Sequence, residues 1–463
     1  MDPRFLPHNA HLEDPERFRL LDPQLRALRS LPLVHRFGLL DRIPTDTPGI
    51  YSITGGRQIG KTTLLKQWMA ELLDAGVSAK RIAYFTGELI DDHHSLVRII
   101  SEHLQQTPPE AMRYLLLDEI TYVREWDKGV KYLADTGLLN QAMVILTGSD
   151  SVIIRDARTR FPGRRGKGDV ADFHLFPLSF AEVIQLKQVL DAHQFIQLQE
   201  KEKEPDIPTT KALFAEFGNF LTHGGFLTAI NDLAMNGRVL PATLATYADW
   251  IRGDVLKRGR HDHFLREIMN AIVERIGSQV TWNSLAQGLS VNHPATVSNY
   301  LSLLADMDVI YIQPALVEDK LAAAPKKARK LHFADPFISH AVNAWLHPTG
   351  DPYREQIVPA LHEPRTCARL AESCAVSHLR RWYPTYYIKA AGEVDIAFVH
   401  QGKFWPVEVK WTQQIRPGEL KQVAKYPNGC IWSRTERRSV IAGVPAEPLP
   451  VALARMALAA QED

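Results

Sequence analysis

The sequence predicts an α/β fold built on a parallel sheet, followed by a helical section and a second α/β domain. Three apolar segments carry the first part of this prediction, because each is typical of a strand buried on both faces: residues 50–53, 114–117 and 142–147. A glycine-rich turn and an amphipathic helix follow the first segment. At 463 residues the chain is too long for one ordinary core, so we expect several domains.

The composition narrows the class of protein. A hydrophobic fraction of 45% with 23% charged residues is typical of a soluble globular chain. The 54 Lys and Arg residues nearly balance the 53 Asp and Glu residues, so any nucleic-acid surface would be a local patch. Cys367, Cys374 and Cys430 are far apart and show no zinc spacing, which predicts reduced, buried thiols. We find no leader pattern and no long apolar run, so we expect a cytoplasmic protein without a membrane span.

The turn after the first strand carries a nucleotide-binding motif. Gly55, Gly60, Lys61 and Thr62 match G-x-x-x-x-G-K-[ST], the P-loop pattern, between a strand and a helix. Backbone amides of such a loop bind phosphates, the lysine reaches the outer phosphates and the threonine hydroxyl binds Mg²⁺. A plain glycine turn is the alternative. The sequence thus predicts a P-loop NTPase domain with ATP and Mg²⁺ as cofactors, in which the nucleotide contacts Gly55, Gly56, Arg57, Gln58, Ile59, Gly60, Lys61, Thr62 and Thr63.

Two further strands end in polar residues that complete this site. Residues 114–120 read YLLLDEI, in which we expect Asp118 to bind Mg²⁺ and Glu119 to polarise the attacking water. A solvated acidic pair is the alternative. Thr147 and Ser149, after the third strand, are candidates for contact with the γ-phosphate, unless they form a plain turn. An NKxD-like guanine signature is absent from the sequence, which favours ATP over GTP.

The middle of the chain predicts helices and then a winged helix. From residue 263 the order is helix, helix, glycine turn, helix, strand. The polar face of the third helix would meet the major groove, yet it lacks Arg and Lys, so a structural or interdomain role is the alternative. A basic run could track a phosphate backbone or be a solvated wing. The candidate nucleic-acid contacts are Thr296, Ser298, Asn299, Lys326 and Lys327, with Arg329 and Lys330 in the same run.

Residues 392–410 predict two strands joined by a turn at Gln401 and Gly402. Glu408 and Lys410 share a face of the second strand, and the hairpin can bring Asp395 of the first strand beside them. Two carboxylates and an ammonium could bind Mg²⁺ and activate a water towards a phosphodiester. A strand with an exposed acid is the alternative.

Several segments together resemble a known family: GGRQIGKTTLLKQ, LLLDEI, ILTGSDS, FPGRRG, HLFPLSFAEV, THGGF and KLHFADPFI. They look like prokaryotic AAA-type (AAA+/STAND-like) P-loop ATPases that carry a C-terminal restriction-endonuclease-like domain of unassigned role. The resemblance covers most of the chain. It implies that Arg164, after the proline-glycine pair, stabilises transition-state charge. Leu227 replaces the proline that this family carries after GGF.

The C-terminal strands resemble the PD-(D/E)xK nuclease superfamily. The resemblance implies that Asp395 is the first metal-binding acid and that Glu408 and Lys410 form the (D/E)xK pair. It also implies that Glu372 is the helical glutamate, and that Gln422 and Tyr426 form a QxxxY element on a following helix. Gln422 and Tyr426 are therefore further candidate nucleic-acid contacts. Val394 stands in place of the proline of the motif. An active nuclease, an inactive nucleic-acid-binding domain and a structural role all remain open.

These observations predict five segments: an N-terminal extension (1–45), an ATPase core (46–180), a helical subdomain (181–262), a winged helix-turn-helix (263–330) and a nuclease-like domain (331–463). The leading hypothesis is a Mg²⁺-dependent ATPase coupled to a domain that binds and cuts DNA. The alternative is a nucleotide-dependent switch that binds a protein partner or DNA without cleavage. DNA is the expected partner, a protein partner and a homo-oligomer are further candidates, and no membrane is expected.

Overall fold

The computed structural model describes residues 1–107, 111–148, 154, 170–200, 203–291 and 293–459. The chain divides into two compact units, residues 1–176 and 177–463. The ATPase core predicted at 46–180 therefore crosses the boundary between the units by four residues.

Unit 1 is built around a five-stranded sheet with the order β2-β3-β4-β1-β5, in which all neighbours are parallel. Its strands are β1 (Gly49–Thr54), β2 (Ile82–Thr86), β3 (Arg113–Asp118), β4 (Ala142–Thr147) and β5 (Asp172–His174). Its helices are α1 (Phe18–Leu21), α2 (Pro23–Leu28), α3 (Lys61–Asp74), α4 (His93–Gln105) and α5 (Trp126–Asp135). The central strands β3 and β4 are buried at every position, which explains their uninterrupted apolar sequence. The predicted parallel α/β sheet is confirmed.

The first 45 residues pack onto this sheet. Phe5 belongs to the hydrophobic core that contains β2, β3 and β4 residues. The Asn9 side chain donates to the Tyr84 carbonyl and accepts from the Tyr84 amide, both at 2.8 Å, so it satisfies the open edge of β2. Asp22 and Lys66 form an ion pair of 3.0 Å with side chains only 1% and 3% exposed. The N-terminal segment is thus an integral part of unit 1.

Unit 2 begins with helices. These and the later helices of the unit are α6 (Phe180–Leu186), α7 (Ala192–Gln199), α8 (Ile207–His223), α9 (Leu227–Asn236), α10 (Pro241–Lys257), α11 (Asp262–Arg275), α12 (Trp282–Ala286), α13 (Pro294–Asp306), α14 (Pro336–Leu346), α15 (Val358–His362), α16 (Pro364–Leu379) and α17 (Leu449–Ala459). In the part of the chain that the structure describes, every helix is too short or too polar to cross a lipid bilayer.

Helices α11, α12 and α13 accompany a small antiparallel sheet of order β6-β10-β7. The strands in this part of the chain are β6 (Gln279–Val280), β7 (Ile310–Pro314), β8 (Leu316–Val317), β9 (Ala322–Ala323) and β10 (Arg329–Phe333). Strands β8 and β9 form a hairpin between β7 and β10. The third helix, α13, buries Val297, Tyr300, Leu301 and Leu304 and leaves its polar residues outside this apolar face.

A six-stranded mixed sheet of order β11-β12-β13-β14-β16-β15 forms the rest of unit 2. Its strands are β11 (Thr385–Lys389), β12 (Glu393–His400), β13 (Lys403–Lys410), β14 (Cys430–Ser433), β15 (Ser439–Ile441) and β16 (Val444–Pro448). Gln401 and Gly402 link β12 to β13 with φ angles of +49° and +71°, as a two-residue hairpin requires, which confirms the predicted turn. Helix α16 lies against β10, β12 and β13.

The helix predicted to carry Gln422 and Tyr426 is wrong. That segment forms two short 3₁₀ turns, Pro417–Leu420 and Val423–Lys425. Leu420 and Val423 are buried in the core of the mixed sheet, and Tyr426 is extended (φ −104°, ψ 121°) because a proline follows it. The chain returns to β14 before a longer helix can form.

Candidate functional site

The glycine-rich loop of unit 1 joins β1 to the N-terminus of α3. Gly55 has φ +147°, and a Cβ there would lie 2.4 Å from the Leu175 carbonyl oxygen. Gly60 has φ +101°, and its Cβ would lie 2.5 Å from the Phe37 ring. Both positions therefore require glycine for backbone angle and for space. The helix that begins at Lys61 directs its partial positive charge towards this loop.

Lys61 lies inside the loop. Its ammonium donates to the carbonyl oxygens of Gly55 at 3.0 Å and Gly56 at 2.7 Å, and only 5% of the residue is exposed. These backbone contacts hold a positive charge at the centre of the loop, where the outer phosphates of a nucleotide would be bound.

Three hydroxyl groups converge on Asp118 at the end of β3. The Thr62 hydroxyl donates to Oδ2 at 2.7 Å, and the Tyr84 hydroxyl donates to the same oxygen at 2.5 Å. The Thr147 hydroxyl donates to Oδ1 and accepts from the Glu119 amide at 3.1 Å. Burial, together with the nearby Asp118 carboxylate, raises the pKa of Tyr84 well above its usual range, so Tyr84 remains a donor. The structure thus brings Thr62, Asp118 and Thr147 into one hydrogen-bonded group.

Glu119 follows Asp118 in a left-handed backbone conformation, with φ +48° and ψ +42°. A non-glycine residue rarely adopts this region, and such strain is concentrated at functional sites. Gly87 permits it, because a Cβ on Gly87 would lie 2.4 Å from the Glu119 carbonyl oxygen. The close approach of the Gly87 backbone therefore holds the half-buried Glu119 just beyond the carboxyl end of β3.

The remaining loop residues have separate contacts. Arg57 donates to the Tyr122 hydroxyl at 3.3 Å, Gln58 has a positive φ of +56°, and Ile59 is buried. Thr63 accepts from the Gln24 side chain at 2.9 Å, so its hydroxyl faces the N-terminal segment. Ser149 and Arg164, which the sequence singled out, lie outside the described residues.

A second group of charged residues lies in unit 2, on α16, β12 and β13. The Asp395 carboxylate accepts from the Val409 amide at 3.0 Å, and the Asp395 amide donates to Glu408 at 3.4 Å. Lys410 pairs with Glu408 at 2.7 Å. The hairpin therefore brings together the three strand residues that the sequence singled out.

Lys330 of β10 joins these strands to Glu372 of α16. Its ammonium lies 2.7 Å from Glu393, 3.0 Å from Glu372 and 3.2 Å from Asp395, and 1% of its side chain is exposed. Neither interpretation of the basic run, phosphate contact or solvated wing, holds for Lys330, because β10 is the central strand of its sheet and the Lys330 side chain is 1% exposed.

The charges of this group, which we call the carboxylate cluster (Glu372, Glu393, Asp395 and Glu408), depend on one another. Burial raises the pKa of Glu372, while the Lys330 ammonium opposes this rise. Burial also raises the pKa of Glu408, and Lys410 opposes it. Although burial alone would lower the pKa of Lys330, the surrounding carboxylates hold it well above its usual range.

The carboxylate cluster as folded does not fit a metal ion. Across the described ranges, no three side chains of His, Cys, Asp or Glu are grouped so that they could hold one. Ammonium groups contact the oxygens instead, through Lys330 and Lys410.

Gln422 and Tyr426 form their own hydrogen-bonded chain. Gln422 accepts from the Gly392 amide at 3.0 Å and donates to the Tyr426 hydroxyl at 3.1 Å, which donates to Glu318 at 2.9 Å. These contacts hold Gly392, which immediately precedes Glu393, the first residue of β12 and a member of the carboxylate cluster.

Five candidate nucleic-acid residues lie on α13 and before β10, whereas Gln422, also a candidate, is 6% exposed. On α13, Thr296 and Ser298 are half-buried and Asn299 is exposed. Lys326 and Lys327 are exposed, and Lys327 donates to the Lys389 carbonyl at 3.1 Å.

The comparisons with known proteins identify a range that covers most of unit 1 and the first residues of unit 2. A family model described as an AAA domain matches residues 47–184, the range that contains the P-loop, Asp118 and Glu119. This range is an AAA-type P-loop ATPase domain. A model described as a domain of unknown function, DUF8612, matches residues 215–348, which lie beyond the AAA domain and include Lys330.

Similar whole proteins are distant from this chain. An uncharacterized protein of Haemophilus influenzae is 24% identical over 281 residues, which cover 58% of this chain and 62% of that protein. One from Methanocaldococcus jannaschii is 24% identical over 260 residues, 51% of this chain and 55% of that protein. The chain thus spans less than two thirds of the length of either relative. Among solved structures, a Walker-type ATPase of Pyrococcus abyssi is 16% identical with a TM-score of 0.41, covering 64% of this chain and 91% of that one.

Several residues escaped the sequence analysis. Within the AAA domain, Tyr84 lies in no motif, and only the adjacency of β2 and β3 reveals its contact with Asp118. In unit 2, Asp335 accepts from the amides of Gly225 at 2.9 Å and Phe337 at 2.8 Å. A Cβ on Gly225 would lie 2.1 Å from the Leu178 carbonyl oxygen. The PLSF, GGF and ADPF segments, noted only as resemblances, therefore converge on one packing point.

Proposed function

We propose that the AAA domain hydrolyses ATP with Mg²⁺ held by Thr62 and Asp118. The observation that carries this proposal is the 2.7 Å approach of the Thr62 hydroxyl to the Asp118 carboxylate beside the phosphate-binding loop. Hydroxyl and carboxylate oxygens are ligands that Mg²⁺ takes in nucleotide sites, so the residues fit the ion. When bound, Mg²⁺ would neutralise charge that develops on the β- and γ-phosphates.

Groups of the protein bind the phosphates and activate the water. The amides of residues 55–62 bind the phosphates, and the Lys61 ammonium exchanges the carbonyls of Gly55 and Gly56 for phosphate oxygens. Glu119 orients and polarises the attacking water. Thr147 couples the two acids, since its hydroxyl contacts the Asp118 carboxylate and the Glu119 amide.

Measurements of ATP binding and of phosphate release distinguish the roles of Lys61 and Glu119. Lys61→Ala should abolish tight ATP binding in calorimetry. Glu119→Gln should bind ATP as the wild type does and release little phosphate, because the amide is a poor acceptor for the proton of water. The matched control is Glu102→Gln, an exposed acid of α4, which should behave as the wild type. Wild-type turnover by Glu119→Gln would remove the assigned role of this residue.

A second candidate function concerns unit 2. We propose that its C-terminal sheet binds DNA and acts on phosphodiesters, that residues 263–330 act as a winged helix, and that ATP turnover controls access to the DNA. The convergence of Glu372, Asp395, Glu408 and Lys410 from three adjacent elements supports this proposal. The order of α11, β6, α12, α13, β7 and β10 supports the winged helix. The alternative is a nucleotide-dependent switch that binds DNA or a protein partner without cutting.

One assay separates the two alternatives. Labelled single- and double-stranded DNA is incubated with the protein, ATP and Mg²⁺, beside Lys410→Ala and the exposed control Lys403→Ala. Cutting by wild type and Lys403→Ala that Lys410→Ala abolishes supports a nuclease. ATP turnover without cutting on either substrate supports the switch. Sedimentation of the protein with and without ATP tests the proposed homo-oligomer.

A further inference from the structure

Tyr84 of β2 reaches the acid at the end of β3, although it belongs to no nucleotide-binding motif. It is paired with Leu116, so its side chain lies on the same face of the sheet as that of Asp118, two residues further along β3. Its hydroxyl donates to Asp118 Oδ2 at 2.5 Å. The Thr62 hydroxyl donates to the same oxygen at 2.7 Å, and the Thr147 hydroxyl donates to Oδ1. Three hydroxyls therefore fix the orientation of this carboxylate.

The N-terminal segment holds the backbone of Tyr84 through Asn9. The Asn9 side chain donates to the Tyr84 carbonyl oxygen and accepts from the Tyr84 amide, each at 2.8 Å. It also donates to the Phe5 carbonyl oxygen at 2.8 Å, and the residue is 1% exposed. Because buried polar groups need partners, this one amide group ties the edge of β2 at Tyr84 to the N-terminal segment.

The ring of Tyr84 is held as well. Lys66 Nζ lies 3.8 Å from the centre of the ring, within the range of a cation–π contact, and the His8 ring stacks on it with centroids 5.8 Å apart. The Lys66 ammonium in turn donates to the His8 carbonyl oxygen and pairs with Asp22 at 3.0 Å. Contacts to the N-terminal segment thus surround both the backbone and the ring of the residue whose hydroxyl contacts Asp118.

We propose that Tyr84 is a positioning residue of the ATP site, and that the N-terminal segment, through His8 and Asn9, sets the position of its hydroxyl on Asp118. The inference rests on the Mg²⁺ site proposed above, because Asp118 is one of the two ligands of that site. Tyr84 acts on the ion only through the carboxylate. A ligand that loses one of its hydrogen-bond donors is oriented less well and binds a metal ion less tightly.

The contribution of the metal to nucleotide binding provides the test. Calorimetry measures the affinity of the full chain for a non-hydrolysable ATP analogue with Mg²⁺ and with EDTA, and the ratio of the two affinities reports the metal. Tyr84→Phe retains the ring and loses only the hydroxyl, so the ratio should fall about tenfold while the affinity in EDTA stays at the wild-type value. Tyr132→Phe, which removes a hydroxyl from an exposed residue of α5, should match wild type.

Asn9→Ala tests the role of the N-terminal segment. It should lower the same ratio, and it should cause no further loss in a Tyr84→Phe background, because the hydroxyl through which Asn9 acts is already absent. His8→Ala, at a half-buried position, makes the same test if Asn9→Ala does not fold. Losses that add fully in the double variants would show that the segment acts independently of the Tyr84 hydroxyl, and would overturn its role.

Asp118→Asn distinguishes this inference from the proposed function. An unchanged ratio in Asp118→Asn would refute the metal site and, with it, the role of Tyr84. A lower ratio in Asp118→Asn with a wild-type ratio in Tyr84→Phe would leave the metal site in place and refute the role of Tyr84. Equal losses of affinity with Mg²⁺ and with EDTA in Tyr84→Phe would show a general effect on the loop, and would also overturn the proposal.

Discussion

The ion pair between Lys66 and Asp22 ties the N-terminal segment to the helix that follows the P-loop, and Lys66→Met breaks it. The Lys66 ammonium lies 3.0 Å from Asp22, donates to the His8 carbonyl and lies 3.8 Å from the centre of the Tyr84 ring. The substitution retains the length and apolar stem of the side chain. It leaves the Asp22 carboxylate buried without its cation.

The size of the effect follows from this burial. An exposed ion pair contributes about 0–1 kcal/mol, but removing one partner of a buried pair costs about 3–5 kcal/mol. The side chains of Lys66 and Asp22 are 3% and 1% exposed, so we expect a loss in the larger range for unit 1. Adding Asp22→Asn should recover most of it, because the amide oxygen can still accept from the amides of Gln24 and Leu25.

Hydrogen exchange measured by mass spectrometry across a urea series resolves unit 1 from unit 2. The α3 peptides report the free energy of unfolding in wild type, Lys66→Met, the double variant and the exposed control Lys80→Met. The control should lie within about 0.5 kcal/mol of wild type. A loss below about 1 kcal/mol for Lys66→Met would show that the pair acts like a solvated one, and would refute the reasoning.

Three further predictions concern turnover, loop shape and pH. Tyr84→Phe removes a hydroxyl donor from Asp118, so phosphate release should fall about tenfold, the equivalent of one hydrogen bond, while calorimetry shows ATP still bound. Gly60→Ala should lower the affinity for ATP and the stability of unit 1 by more than Gly76→Ala does. Both glycines have positive φ, but only the Cβ added at Gly60 would lie 2.5 Å from the Phe37 ring. Equal losses in the two variants would exclude the steric cause. Burial lowers the pKa of His332 to about 3, so the unfolded chain binds the proton first. His332 alone should therefore cost unit 2 about 2 kcal/mol between pH 7 and pH 5, a contribution that His332→Gln removes from acid-denaturation curves.

The N-terminal segment also contacts residues around the P-loop and Asp118. Lys66 lies over the Tyr84 ring, and the Tyr84 hydroxyl contacts Asp118. Phe37 covers Gly60 of the P-loop. A truncation of the first 45 residues should therefore reduce ATP binding as well as stability, as calorimetry on the shortened chain would show.

Local sequence was sufficient for the parts of the protein that contiguous residues build. The P-loop needs only a strand, two glycines with positive φ and a helix N-terminus, all within residues 49–74. The uninterrupted apolar strands predicted the parallel sheet because both faces of such a sheet are covered. The hairpin at Gln401 and Gly402 followed from turn chemistry alone.

Tertiary structure decided what lies between distant segments. Residue averages place lysine on the surface, so no pattern around Lys330 predicts its burial; only the packing of β10 against α16 and β12 brings it to Glu372 and Asp395. The contact of Tyr84 with Asp118 likewise depends on strand order. The resemblance to the nuclease superfamily implied a helix at Gln422 and Tyr426, but the segment between them forms a short 3₁₀ turn whose Val423 is buried in the core of the mixed sheet. Periodicity reports the face of one element, whereas a charge cluster drawn from several elements depends on how those elements pack, and that information is not contained in any single window of sequence.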